Sequence, residues 1–234
     1  MNKTLLIAEI GHNWVPDFDK AFELILMTRN MGWDVAKFQA YDTDKIKQPG
    51  DTNYKELKEA ELSFNQLKAL KDYCDKNDVE FAASAFDVER VLWLEELNVK
   101  RHKIASRSIY DSALIEVMEK TDKPIIASLA NWLGRNEFPK INNAQFLYCK
   151  SRRQILQNGF RVIDMIDAIK QGCGFSDHTI GTECARLAID YNAPIIEKHI
   201  TLDKNAAGWD QPSSADYFDM KEIRNAVRRK RGVK

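Results

Sequence analysis

Residues 173–200, CGFSDHTIGTECARLAIDYNAPIIEKHI, decide the fold. Two short apolar runs, CGFSDH from Cys173 and PIIEKHI from Pro194, flank an amphipathic stretch, IGTECARLAIDYN. Short β-rich runs bounded by Gly or Pro read as buried strands. A strand, a helix and a second strand form the unit that builds parallel sheets, because parallel neighbours need a long crossover connection. Working outward, the unit recurs: LLIAEIG from Leu5, VAKFQA from Val35, EFAASAF from Glu80, HKIASR from His102, PIIASLA from Pro124 and AQFLYCK from Ala144 bring the strands to eight. Between them run DKAFELILMTRNMG, SFNQLKALKDYCDKN with Ser63 as its cap, VERVLWLEELN with Val88, Val91, Leu92 and Leu94 as its apolar face, SALIEVMEKT and FRVIDMIDAIKQ, and SADYFDMKEIRNAVRR follows the last strand. Eight such units in 234 residues predict an α/β fold of the (β/α)8 TIM-barrel type, with an open doubly wound sheet as the structural alternative.

Two connections interrupt the rhythm. Residues 41–60 form a polar excursion where a barrel's active-site loop would lie, and residues 131–143, NWLGRNEFPKINN, are too rich in Gly, Pro and Asn for a full fifth helix. Neither repeats nor a Pro/Gly/Ser linker marks a boundary, so residues 1–234 are expected to form one domain.

Composition narrows the function classes. With 35 basic and 35 acidic residues the formal charge is zero, which gives no bulk attraction for nucleic acid or an acidic membrane surface. The 44% hydrophobic content includes no membrane-length apolar run, and MNKTLLIAEIGHN reads as a first strand and not as a signal peptide, which predicts a cytoplasmic location. Cys74, Cys149, Cys173 and Cys184 form no CxxC pair and are expected to be reduced and mostly buried. The basic tail Arg228, Arg229, Lys230 and Arg231 suits the negative end of a helix dipole.

In a β/α barrel the chemistry lies at the C-terminal ends of the strands. Those ends are polar here: Glu9, Lys37 and Gln39, Ser84, Lys103 and Ser106, Ser128, Lys150, Ser176 with Asp177 and His178, and Glu197 with Lys198 and His199 are expected to converge on one mouth. His178 and His199 end successive strands, close enough for two imidazoles to bind one divalent ion, with Asp210 as a third candidate ligand. A single histidine there would ordinarily only hydrogen-bond a loop. Lys37 and Lys103, beside four serines, form a cradle for phosphate or carboxylate; a Schiff-base lysine and a Lys–Glu pair with Glu9 or Glu197 are the other two readings, and spacing does not separate the three.

AEIGHNW, KFQ, KIAS, GFSDHTIG and IEKHITLDKN resemble the successive motifs of the N-acetylneuraminate (sialic acid) synthase family over essentially the whole chain. The resemblance implies a β/α barrel that condenses phosphoenolpyruvate with an N-acetylated aminosugar aldehyde, such as N-acetylmannosamine, using Mn2+ or Mg2+, to give a nine-carbon sialic acid and phosphate. It implies His178 and His199 as metal ligands, and Lys37, Ser84, Lys103, Ser106, Ser128 and Ser176 around phosphoenolpyruvate. By the same resemblance Glu9 handles a proton or a metal-bound water near the reacting end, while Gln39 and Asp210 hold sugar hydroxyls.

Departures from the family pattern cluster on the sugar side. Arg107 and Ser108 replace a Gly-Glu pair after KIAS, Cys149, Lys150, Ser151 and Arg152 stand where Cys-Thr-Ser and a Tyr are usual, and Gly208, Trp209, Asp210 and Gln211 replace GPDH. The family's C-terminal antifreeze-like domain, which supplies an arginine to a partner's site, is expected to be absent. Arg107 or Arg153 would then substitute, a separate cap-domain polypeptide or a homodimer partner would complete the site, or sugar binding would differ. The expected product is a sialic acid or a related 2-keto sugar acid such as a legionaminate, pseudaminate or amino-octulosonate. The readings from other classes are a non-catalytic barrel that binds a sugar acid or phosphorylated ligand, and a Schiff-base aldolase using Lys37 or Lys103.

Overall fold

A computed structural model describes residues 3–129 and 137–232. Eight parallel strands close into a barrel in sequence order: β1 (Leu5–Glu9), β2 (Val35–Ala40), β3 (Glu80–Ala85), β4 (His102–Ile104), β5 (Ile125–Leu129), β6 (Ala144–Cys149), β7 (Gly174–Asp177) and β8 (Ile195–His199). Outside and above them lie α1 (Asp19–Asn30), α2 (Thr43–Ile46), α3 (Tyr54–Glu59), α4 (Phe64–Lys76), α5 (Val88–Glu96), α6 (Ser112–Glu119), α7 (Arg152–Asn158), α8 (Val162–Lys170), α9 (Glu183–Asp190) and α10 (Tyr217–Lys230). The predicted TIM barrel is the observed fold, and each predicted strand overlaps an observed one.

Alternation along each strand sorts side chains to the barrel interior or to the helix layer. Leu5, Ile7, Val35, Ala82, Ile126, Leu147 and Ile195 pack together as the inner plug, separate from the larger core beneath the helices. Above the plug the inward positions turn polar. Register sets their neighbours: Glu9 pairs with Lys37 on one side and His199 on the other, Ser84 with Lys103, Cys149 with Ser176, and Ser176 with Glu197.

The same alternation corrects one expectation. Asp177 and Lys198 are out of phase with Ser176, Glu197 and His199, so they point into the helix layer and not into the mouth. Lys198 Nζ donates to Asp177 Oδ2 at 2.9 Å and to the Thr179 carbonyl at 2.8 Å, and both side chains of the ion pair are fully buried. Removing one partner of such a pair costs about 3–5 kcal/mol, because the other charge is left buried alone. Lys150 is also absent from the mouth, its Nζ donating to the Gly159 carbonyl at 2.7 Å.

Local signals account for most helix boundaries. Ser63 caps α4 in a reciprocal box with Gln66, and Asp216 does the same for α10 with Asp219. The basic tail occupies the last turn of α10, where Lys230 Nζ donates to the Asp190 carbonyl. On α5, Val91 and Leu94 are buried, but Leu92 is exposed and Arg90 is buried instead, its guanidinium 4.5 Å from the Trp93 ring centre. An arginine can cover an apolar surface with its stem, which an apolar-face count does not anticipate. The unexpected α7 is capped by Ser151, in a third reciprocal box with Gln154.

Within residues 41–60, α2 and α3 fold over the rim, anchored where Tyr41 Oη donates to the Leu57 carbonyl at 3.0 Å. The expectation of a short or missing fifth helix falls partly outside the described residues; residues 137–143 contain no helix. All four cysteines are free, with Cys74, Cys149 and Cys173 buried. Among the described residues no helix is long and apolar enough to cross a membrane.

Candidate active site

The polar inward positions open into a cavity of about 250 Å³ at the C-terminal end of the barrel. Glu9, Lys37, Gln39, Ser84, Lys103, Ser106, Ser128, Ser176, His178, Glu197 and His199 all line it, joined by Phe86, Ala105, Arg107 and Cys149. Of the predicted site residues, Asp210 alone lines a neighbouring cavity instead.

Two lysines organise the floor. Lys37 Nζ donates to Ser84 Oγ at 3.1 Å, pairs with Glu9 Oε2 and lies 3.5 Å from Glu197 Oε2. Lys103 Nζ donates to Ser128 Oγ at 2.8 Å and to the Ile104 carbonyl at 3.1 Å, with Glu197 Oε1 at 3.7 Å. Ser176 Oγ donates to Glu197 Oε1 at 2.9 Å, and Gln39 Nε2 donates to Glu9 Oε1 at 2.8 Å. The Lys–Glu pairing considered from sequence is therefore present, inside a mouth lined by hydroxyls.

Burial opposes charge on Lys37, but Glu197 and Glu9 outweigh it and raise its pKa. For Lys103 burial dominates, assisted by the neighbouring Lys37, and its pKa falls below the ordinary lysine value. Burial would raise Glu197, yet Lys103 and Lys37 pull it well below the usual carboxylate range. The strand charges thus cancel in pairs, Lys37 and Lys103 against Glu9 and Glu197.

His178 and His199 face each other across adjacent strand ends, ring centres 5.3 Å apart and planes inclined by 58°. His199 Nδ1 is buried and has no hydrogen-bond partner, an unusual state for a ring nitrogen. Gly11 makes room for this imidazole: a Cβ at its positive φ of 53° would lie 3.0 Å from His199 Cε1. Two imidazoles, one with an uncommitted nitrogen, beside a charge-balanced anion cradle fit a divalent ion. Among the described residues no group of three His, Cys, Asp or Glu side chains has an arrangement that could hold a metal ion by itself, so the pair would supply two of the ligands. Cys149 Sγ lies 4.0 Å from His178 Nδ1, and His102 is a buried structural histidine whose Nε2 meets Glu95 Oε1 at 2.9 Å.

Asp210 reaches back to the mouth, its Oδ2 3.9 Å from His199 Nε2. It lines a second cavity of about 240 Å³ together with His12 and Trp209. Burial would raise Asp210, but His199, His178 and His12 hold it below the usual carboxylate range. His12 was not singled out from sequence, although its position in the loop directly after β1 was the available signal. Its Nε2 meets Tyr41 Oη at 2.9 Å, and burial lowers its pKa against the charges of Asp210 and Glu9. Arg107 lines the mouth, 5.8 Å over the Phe86 ring, whereas Arg153 is exposed on α7 and does not line it.

A model of the NeuB family matches residues 24–155 and 158–233. The chain belongs to the NeuB family. An uncharacterised relative in Methanocaldococcus jannaschii is 33% identical over 96% of this chain and 70% of its own length. The N,N'-diacetyllegionaminic acid synthase of Campylobacter jejuni is 32% identical over 97% of this chain and 76% of its own. The crystal structure of an N-acetylneuraminic acid synthetase from Leptospira borgpetersenii, in complex with citrate, superposes with a TM-score of 0.87 at 27% identity, covering 99% of this chain and 85% of that one. The NeuB family assignment agrees with the resemblance carried by the five motifs, and the barrel is shared along its full length.

Proposed function

We propose that this NeuB family enzyme, a sugar-acid synthase, adds C3 of phosphoenolpyruvate to the aldehyde carbon of an open-chain N-acetylated aminosugar. Water adds at C2, and phosphate leaves, so that phosphoenolpyruvate, aldose and water yield one 2-keto sugar acid and inorganic phosphate. The observation that carries this reading is the convergence of Lys37, Lys103 and four serines on one floor, with His178 and His199 directly beside them.

The two lysines and their serine partners would bind the phosphate and carboxylate oxygens of phosphoenolpyruvate without covalent bonds. Ser106, at the start of the turn after β4, would add a hydroxyl to the same group. A divalent ion, Mn2+ or Mg2+, held by His178 and His199 would supply Lewis acidity toward the aldehyde. Glu9 stands between Lys37 and Gln39, with Oε2 facing only the ammonium, and would take a proton from the water that adds at C2. Gln39 and Asp210 would hold sugar hydroxyls and so fix the face of the aldehyde presented to the enol carbon.

Phosphate release from phosphoenolpyruvate with Mn2+, screened against N-acetylated and neutral aldoses with His199→Ala as the control, tests the proposal. Release that requires one sugar and metal, and disappears in the variant, is the expected result. Silence across the panel while phosphoenolpyruvate still binds would replace the synthase by a binding barrel, and borohydride trapping of pyruvate on Lys37 or Lys103 would replace it by a Schiff-base aldolase.

A further inference from the structure

The charges that line the mouth leave one cation over. Lys37 faces Glu9 and Glu197, and Lys103 faces Glu197, whereas Arg107 forms no ion pair among the described residues. Arg107 stands in the turn Ser106–Ser108 just after β4, exposed at the rim, with its guanidinium 5.8 Å from the centre of the Phe86 ring, which lines the mouth as well. A guanidinium at that distance from a ring is held weakly, so its charge is free to meet a ligand. Arg152, on the β6 side, is committed elsewhere: it lies 5.0 Å from the Trp209 ring centre, joins the three histidines in holding Asp210 down against burial, and does not line the mouth.

Phosphoenolpyruvate carries more charge than the floor balances. Its phosphate brings about two negative charges near neutral pH and its carboxylate one more. Lys37 and Lys103 are already opposed by Glu9 and Glu197, so their ammonium groups donate hydrogen bonds to an anion without a surplus of positive charge. A guanidinium supplies both, a permanent charge and a planar fork of N–H donors that spans two phosphate oxygens. We propose that Arg107 reaches across the rim and grips the phosphate of phosphoenolpyruvate, so that this one side chain sets the affinity for the phosphate group on entry and on release. The phosphate and not the carboxylate is its partner, because the phosphate carries the larger charge and the rim is where the released anion meets solvent. Ser106, its neighbour on the same turn, lines the same cavity and would add a hydroxyl to that grip.

The proposal rests on the reading that phosphoenolpyruvate occupies the mouth, and the choice of probes separates the two. Calorimetric titration of the whole chain with phosphoenolpyruvate, inorganic phosphate and pyruvate in turn, without added metal, reads the phosphate and carboxylate ends separately. Arg107→Met removes the charge but keeps an apolar stem against Phe86. It is expected to weaken phosphoenolpyruvate and inorganic phosphate alike by at least about tenfold and to leave pyruvate unchanged. Arg107→Lys restores the charge without the fork and is expected to recover about threefold of that loss. Arg153→Met, at an exposed arginine that does not line the mouth, is expected to change none of the three affinities. Unchanged phosphoenolpyruvate affinity in a folded Arg107→Met protein, an equal loss for pyruvate, or an equal effect of Arg153→Met would overturn the proposal, as would binding of neither phosphoenolpyruvate nor phosphate by the unaltered chain. Phosphate binding that depends on Arg107, without binding of phosphoenolpyruvate, would remove the synthase reading and leave the phosphate site standing.

Discussion

The mouth and the Trp209 cavity adjoin one another yet are built from different material. The mouth is carried on strands. Its residues come from β1 to β8 and the first residues beyond them, and hydrogen-bonded register places each beside its partner, as Glu9 beside Lys37 and Ser84 beside Lys103. The Trp209 cavity is carried on the connections after β1, β2 and β8, with α3 as one wall. Strand positions hold reacting groups rigidly; loops can change side chain and length without disturbing the barrel. The groups of the mouth therefore sit on the barrel frame, while the Trp209 cavity sits on connections that can vary around it.

His199→Ala is the largest break expected on the mouth side: loss of Mn2+ binding by calorimetry and a fall in turnover of at least about 10³-fold. An unchanged metal affinity would remove His199 from the metal site. Lys198→Met, one residue away on β8 but facing the helix layer, should leave metal binding in place and instead lower stability by about 3–5 kcal/mol in denaturant titration. The adjacent positions would then separate chemistry from packing on a single strand.

Asp210→Asn sharpens the border between the regions. It should lower kcat/KM for the acceptor by about tenfold or more with phosphoenolpyruvate affinity unchanged, because Asp210 lines the Trp209 cavity and not the lysine cradle. A parallel loss of phosphoenolpyruvate affinity would place it in the mouth.

The mouth also has its own pH signature. Burial and Lys37 depress Lys103, so it loses its proton below the ordinary lysine value of 10.5. Between the depressed value and 10.5 the unfolded chain binds more protons at this lysine, so its contribution to stability rises with pH while affinity for phosphoenolpyruvate falls. Lys103→Arg should move that alkaline loss of affinity upward, measured by titration of the substrate at several pH values. Glu197 behaves oppositely: held low by Lys103 and Lys37 despite burial, it contributes stability fully above its ordinary value of 4.5, and that contribution is lost as pH falls toward about 2. At the small end, Ser63→Ala removes the α4 cap at a cost of about 1 kcal/mol and should change neither substrate's KM.

Legibility in the sequence follows the same division. The strand ends spelled out the mouth because an inward polar residue above an apolar plug is conspicuous in an apolar run. End-of-strand position alone places Lys198 and Asp177 in the mouth; counting by two from Glu197 to His199 separates them. On α5 the apolar spacing includes Leu92, which is exposed, while Arg90 is buried with its guanidinium over the Trp93 ring. His12 and α7 lie in connections, where no period reports which side chains face inward.

The sequence by itself determined the order and number of β/α units, the capping of α4 and the identity of the polar groups at the strand ends, since all of these follow from local periodicity and local hydrogen bonding. Only the tertiary structure decided which carboxylate neutralises which lysine, that His199 keeps a nitrogen free, and that Glu56, Trp209 and Asp210 share a cavity. Those are properties of residues far apart in the chain, brought together when the sheet closes on itself, and no local pattern records them.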